Sequence, residues 1–285
     1  MNDEPLFRIP LGEWVEALLD FLTSTFSGAT RAISAFIESA IDAVVSVVLL
    51  VPPWLFMVAV AGLIFFFIGR KLAFYSLIGL FLLWNLGLWQ PTIVTVALVL
   101  VSTIIAIFIG VPLGIFAALN NTASKILTPI LDFMQTMPAF VYLIPAIPFF
   151  GLGTVSAVFA TVIFSIPPAI RLTSLGIRQV PKELVEAGDA FGATGSQKLI
   201  KVQLPIAVTT IMAGVNQTIM LALSMAVIAS MIGAGGLGGE VWKAIQRLNP
   251  GLGFEAGLGV VIVAMIIDRI TQHLGKSNAP PRKLN

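Results

Sequence analysis

The chain has 285 residues, of which 58% are hydrophobic and only 11% charged, with a formal net charge of +2 and a mean hydropathy of +1.00. Soluble domains carry roughly 25% charged residues, so this composition excludes an ordinary soluble fold and points to an all-α polytopic membrane protein. No cysteine is present, which excludes a disulfide frame and a thiolate metal site, and the small net charge gives no reason to expect a nucleic-acid partner.

The N-terminus lacks the basic region, apolar run and small-residue cleavage site of a removable signal peptide, so residues 1–51 are read as an extracytoplasmic or interfacial region of the protein itself. Val15, Leu18, Leu19, Leu22 and Phe26 form one helical stripe. Ile33, Phe36, Ile37, Ala40, Ile41, Val44, Val45 and Val48 form a second, with Ser34, Glu38, Asp42 and Ser46 on the other side. Glu38 and Asp42 are costly in hydrocarbon, so amphipathic helices lying in the membrane interface are expected here; an eighth span is the rival reading.

Seven spans are expected near 52–69, 72–89, 92–119, 126–150, 154–176, 205–232 and 253–274, each close to the ~20 apolar residues that cross a bilayer. Residues 52–91 thus hold two additional spans ahead of a core over 92–276, with 277–285 as a tail. Arg70, Lys71, Lys125, Arg171, Arg178, Lys182, Lys198, Lys201, Arg269, Lys276, Arg282 and Lys283 lie at or beyond one set of span ends, and only Arg8, Arg31, Lys243 and Arg247 lie opposite. That asymmetry places the first set in the cytoplasm, the N-terminus outside and the C-terminus inside. Trp54, Trp84, Trp89 and Trp242 then fall at the outer interface as an aromatic belt.

Ala106, Gly110, Gly114 and Ala118 repeat every four residues, a small-residue stripe whose simplest use is close helix packing; Pro112 beside it is expected to kink the span. Asp132 lies near the cytoplasmic end of the fourth span and needs a charged partner or water, with Arg171 or Arg178 as the candidate partner. Asn216 and Gln217 in the sixth span suit either a polar path or hydrogen bonds between helices. Gly233, Gly235 and Gly238 spell G-x-G-x-x-G, but no βαβ unit surrounds them, so a flexible or tightly turned backbone is the better reading. Gly233, Gly235 and Gly236 are therefore candidate gating positions, with Asn216 and Gln217 as candidate path-lining ones. No Walker A motif, Ser-His-Asp set or metal-ligand cluster stands in the sequence, which argues against an enzyme and against a cofactor held by this chain.

The longest polar interval between interior hydrophobic segments is VPKELVEAGDAFGATGSQKLIKVQLP, 180–205. It reads as two helices and a turn. Pro181 suits a first helical position, and Leu184, Ala187, Gly188 and Phe191 form an apolar stripe opposite Glu183 and Glu186. Gly192 stops the first helix in a left-handed conformation, Thr194 with Gln197 forms a capping box for the second, and Pro205 closes it. The result is an amphipathic knob facing the cytoplasm, better suited to docking than to chemistry.

Glu186, Ala187, Gly192, Leu204 and Pro205 stand at the spacing of the EAA loop, E-A-A-x3-G-x9-I-x-L-P. Through them the chain resembles the permease subunits of binding-protein-dependent ABC importers. Gly188 replaces the third Ala of that pattern and Val202 its Ile, and Gly188 loosens the first helix by up to about 1 kcal/mol relative to Ala. The resemblance covers roughly residues 50 to 275. LVLVSTIIAIFIGVPLGI from Leu98, LDFMQTMPAFVYLIPAI from Leu131, FSIPPAIRLTSLGIRQVPKEL from Phe164, AGVNQTIMLALSMAVIASMIGAGGLG from Ala213 and DRITQ from Asp268 are similar to the glycine betaine and proline betaine permeases.

What the resemblance implies is a type I importer permease with a five-helix core in a bacterial or archaeal cell membrane. Two copies enclose the path, each docking its 180–205 loop on a cytoplasmic ATPase subunit that binds ATP and Mg, while an extracytoplasmic binding protein delivers a betaine. The alternatives are a permease for choline, carnitine or an amino acid, and a secondary transporter. The last would usually show inverted repeats or several charged residues near the midplane, which this sequence lacks.

Overall fold

The computed structural model describes residues 10–277. The first nine residues with Arg8, and the tail beyond 277 with Arg282 and Lys283, lie outside the described residues. Every regular element among those described is helical.

Two helices open the chain, α1 (Leu11–Thr25) and α2 (Ser27–Leu50). They are followed by a hairpin of α3 (Pro53–Phe67) and α4 (Arg70–Asn85), which pack on each other. The centre is built from α5 (Trp89–Leu119), α8 (Thr154–Arg178) and α11 (Leu204–Ala229), with α8 wedged between the other two. Glycines set that approach. A Cβ on Gly110 would stand 2.8 Å from the Ala169 Cβ, and one on Gly114 would stand 2.6 Å from both the Ile170 carbonyl oxygen and the Thr173 Cβ. On the other side of α8, a Cβ on Gly176 would meet Thr210 and Ala207, and one on Gly214 would meet Leu172 and the Pro168 carbonyl. Lipid gives helices no hydrophobic reason to associate, so close backbone contact through small residues holds this layer together. Pro112 lies inside α5 without ending it.

The expected span from 126 to 150 is broken. Helix α6 (Asn121–Thr136) and the segment Ala139–Phe150, which ends in α7 (Leu143–Phe150), meet at 111°. Met137 and Pro138 are both extended, with ψ of 135° and 138°. A residue before proline avoids the helical region, and Pro138 has no N–H for the Met134 carbonyl one turn back. The Tyr142 hydroxyl donates to that carbonyl instead, as a low-dielectric setting requires. At the other end of α6, Asn120 caps the helix by accepting from Thr122 N at 2.9 Å and Ala123 N at 3.1 Å.

Five helical runs among the described residues are long and apolar enough to cross a membrane: Ser27–Leu50, Trp89–Leu119, Thr154–Arg178, Gly195–Ile232 and Pro250–His273; the bent α6–α7 pair makes a sixth if counted as one span. Helix lengths differ from the sequence reading at two places. Ser27–Leu50 is 24 residues long and contains an 18-residue stretch of mean hydropathy 2.0, so it has the dimensions of a span. Glu38 and Asp42 sit on its exposed side, and Ile37 and Ile41 on its buried side. Helices α3 and α4, expected as full spans, have only 15 and 16 residues, or about 22–24 Å at 1.5 Å per residue, against a ~30 Å hydrocarbon core. Trp54 and Trp84 are exposed, as an aromatic belt requires, but Trp89 is only 8% exposed and packs edge-on against Phe56 with ring centroids 5.6 Å apart.

Candidate functional site

The 180–205 loop folds as a helix and a turn into a second helix. Pro181 takes the N-cap position of α9 (Lys182–Ala190), one residue before the helical position expected for it. Gly192 has φ +74°, the left-handed stop its position suggested. Behind it the Ala193 N–H returns to the Gly188 carbonyl at 2.9 Å. Thr194 and Gln197 form a reciprocal capping box ahead of α10 (Gly195–Lys198). Lys198 clamps the two helices by pairing with Asp189 at 2.5 Å, and a Cβ on Gly188 would lie 3.3 Å from the Lys198 Cγ. The small residue at 188 therefore seats the second helix on the first.

Pro205 does not close the second helix. The run from Gly195 to Ile232 is continuous, passing through a π-turn at Leu199–Gln203 into α11, with Pro205 in the first turn of that helix. Pro205 cannot donate to the Lys201 carbonyl, and the wider turn removes the clash between its ring and that group. The end of the loop is thereby rigidly joined to a central membrane helix. Any force on α10 acts on α11.

The faces of α9 settle what the loop packs against. Val185 is half-buried and lines a recess with Ala118, Ile177, Arg178 and Gln203 at the ends of α5, α8 and the π-turn. The apolar stripe turns away from this seat: Leu184 is 45% and Phe191 91% exposed, with Glu183 and Ala187 exposed beside them, while Glu186, also exposed, stands at the rim of the recess. Leu204 is half-buried and Pro205 exposed. One side of α9 rests on its own membrane domain, and the other presents an uncovered apolar and acidic surface.

The remaining candidates separate into different places. Asn216 donates to Asp268 at 3.0 Å and accepts from Thr271, while Gln272 donates to both Asp268 oxygens at 2.8 Å. This cluster bonds α11 to α13 (Pro250–Ser277); Gln217 is exposed on another side of α11. The sequence reading missed the partners of Asn216, although an acidic residue inside an apolar span was the available signal. The glycine run lies at the far end of α11, some 17 residues or about 25 Å along the helix, so it shares no site with Asn216.

That run is a tight turn. Gly233, Gly235 and Gly236 have φ of +95°, +72° and +69°. A Cβ on Gly236 would stand 2.4 Å from the Thr95 Oγ1, and the same hydroxyl accepts from the Leu237 N–H at 2.8 Å. The turn thus docks the start of α12 (Gly236–Gln246) on α5. Finally, Arg171 pairs with Asp132, linking α8 to α6. Arg178 instead donates to the Ala117 carbonyl at 2.7 Å and to Asn121 at 3.1 Å.

With this geometry in place, residues 110–278 match the family of binding-protein-dependent transport system inner membrane components. The sequence is 54% identical over 275 residues to the glycine betaine/carnitine transport permease protein GbuB of Listeria monocytogenes, covering 94% of this chain and 96% of that protein. It is 51% identical over 267 residues to the glycine betaine transport system permease protein OpuAB of Bacillus subtilis, covering 94% and 95%. It is 45% identical over 270 residues to the glycine betaine/proline betaine transport system permease protein ProW of Escherichia coli, covering 95% and 76%. Among solved structures, an inward-facing form of the MetNI methionine ABC transporter superposes with a TM-score of 0.61 at 22% identity, over 66% of this chain and 94% of that one; this likeness speaks to the fold.

Proposed function

The chain belongs to the family of binding-protein-dependent transport system inner membrane components, and on that premise we propose that it is the membrane-embedded permease subunit of an ATP-driven importer of glycine betaine and related quaternary ammonium solutes. The relatives named for glycine betaine match over nearly the whole chain, which supports the substrate class. The energy comes from a separate cytoplasmic ATPase that binds ATP and Mg, and the solute from an extracytoplasmic binding protein. The permease itself performs no bond chemistry.

The observation that carries this reading is the α9–α10 loop: an uncovered apolar and acidic face on a rigid knob continuous with a central membrane helix. Such a knob converts a movement of a docked partner into a movement of α11. In this reading two copies pair around the path, residues 92–276 form the transporting core, and residues 1–91 brace it. The N-terminus lies outside and the C-terminus in the cytoplasm, as the Lys and Arg asymmetry supports. ATP favours one state of the path only through its different affinity for the two.

Reconstitution tests the proposal. Liposomes holding this permease with its ATPase, and with the binding protein supplied outside, take up labelled glycine betaine only with ATP inside. Uptake driven by an ion gradient without the ATPase would contradict it, and ATP-driven uptake of a different solute would overturn the substrate.

A further inference from the structure

A charged pair in the wrong solvent is the feature left unexplained. Asp132 and Arg171 lie on helices of the membrane domain, yet their side chains are 58% and 37% exposed. Exposure to hydrocarbon would be costly for both, so the surface where α6 and α8 bring them together faces water. The pattern of α6 agrees. Ser124, Thr128, Asp132 and Gln135 follow one another at helical spacing, with Thr128, Asp132 and Gln135 exposed, while Ala123 and Leu131 are buried against the core.

Between α5, α6 and α8 lies a recess of about 370 Å³, lined by Ser124, Thr128, Arg171, Ser174 and Arg178 among apolar side chains; Asp132 is not on its lining but adjoins it through the pairing with Arg171. The two arginines are not equivalent. Arg178 is engaged by the Ala117 carbonyl and Asn121. Arg171 bonds Asp132 through Nη2 alone, and its Nε is buried without a partner, so the donors left for a second acceptor are those of its terminal nitrogens. An exposed ion pair of this kind is weak enough to exchange partners.

Resting on the betaine reading above, we propose that this recess is a transient binding site for the transported zwitterion, with Arg171 on its lining holding the carboxylate and the adjoining Asp132, released from Arg171, left to face the quaternary ammonium group. A guanidinium fork matches a carboxylate in two parallel hydrogen bonds. The cationic head has no hydrogen to donate and needs only a nearby negative charge. The Asp132–Arg171 pair is then the resting form of the site, each residue serving as the counter-ion of the other until solute separates them. Weak binding is what a path that must release its cargo requires.

The chain contains no cysteine, which makes a clean test available. Single cysteines are placed at Thr128 and, as a control, at Phe108, an 80% exposed apolar position on α5. The assembled complex is reconstituted and treated from the cytoplasmic side with a charged, membrane-impermeant thiol reagent. The cysteine at 128 should react much faster than that at 108, and glycine betaine at about ten times its dissociation constant should slow it about tenfold, as simple occupancy requires. In the Arg171→Gln background the protection should vanish, and Arg171→Lys, which keeps the charge, should restore part of it. Equal slowness at both positions would mean lipid fills the recess. Fast labelling without protection, or protection that survives Arg171→Gln, would also overturn the inference. ATP-driven betaine uptake by the unmodified complex in the same preparation keeps the two readings apart: active uptake with an unprotected cysteine sinks this site alone.

Discussion

The core layer of α5, α8 and α11 and the α9–α10 loop both depend on glycine, yet the core glycines and Gly192 of the loop serve opposite ends. In the core, Gly110, Gly114, Gly176 and Gly214 stand where any Cβ would collide with a neighbouring helix, so the glycines create contact. In the loop, a Cβ on Gly192 meets nothing within 4 Å. What Gly192 supplies is its left-handed φ, which aims the second helix. The core is therefore intolerant of volume, and the loop is intolerant of a change in direction. The docking role proposed for the loop calls for the second property, and the helices joined to it call for the first.

The largest test of this contrast is in the core. Gly114→Val would place carbon against the Ile170 carbonyl and Thr173, both 2.6 Å from its Cβ. We expect destabilisation at the top of the ~1–3 kcal/mol range for overpacking, seen as a lowered Tm and reduced yield of the purified permease. A Tm unchanged from wild type would break the comparison. A smaller effect is expected at the turn. Gly192→Ala should cost about 1 kcal/mol in local conformation, read as faster hydrogen exchange across α9 and α10, while the thermal transition of the membrane domain stays in place. The smallest belongs to the clamp. Asp189 is more than half exposed, so Lys198→Ala should loosen the loop by no more than ~1 kcal/mol, and less at high salt; a drop in Tm matching Gly114→Val would show that the loop is part of the core after all.

What could be read in the sequence follows the range of the forces involved. The capping box at Thr194 and the left-handed Gly192 were legible because both are decided within a few residues of backbone. The packing role of the Gly110–Gly114 stripe was legible because its spacing fixes one helix face. Pro205 misled, since a proline fits the first turn of a new helix as well as the end of an old one, and only the π-turn before it shows which. The break at Met137–Pro138 was hidden by a hydropathy that stays high across it. The partner of Asn216 lies 52 residues away, and Trp89 is buried by Phe56 from another helix; no local pattern reports such pairings. The loop's local geometry was thus legible, whereas the interhelical polar contacts needed the fold.

The claim on which the rest depends is that the exposed face of α9 receives the ATPase. The most direct measurement is the affinity of the purified ATPase for the reconstituted permease carrying Glu186→Arg, alongside thermal stability and ATP-driven uptake. Glu186 is exposed, so the substitution should leave insertion and Tm unchanged. Reversing a charge in a docked surface opposes its partner's charges and can cost several kcal/mol, so affinity and uptake should fall together by tenfold or more. A variant that binds the ATPase as tightly as wild type and transports at the wild-type rate would contradict the account.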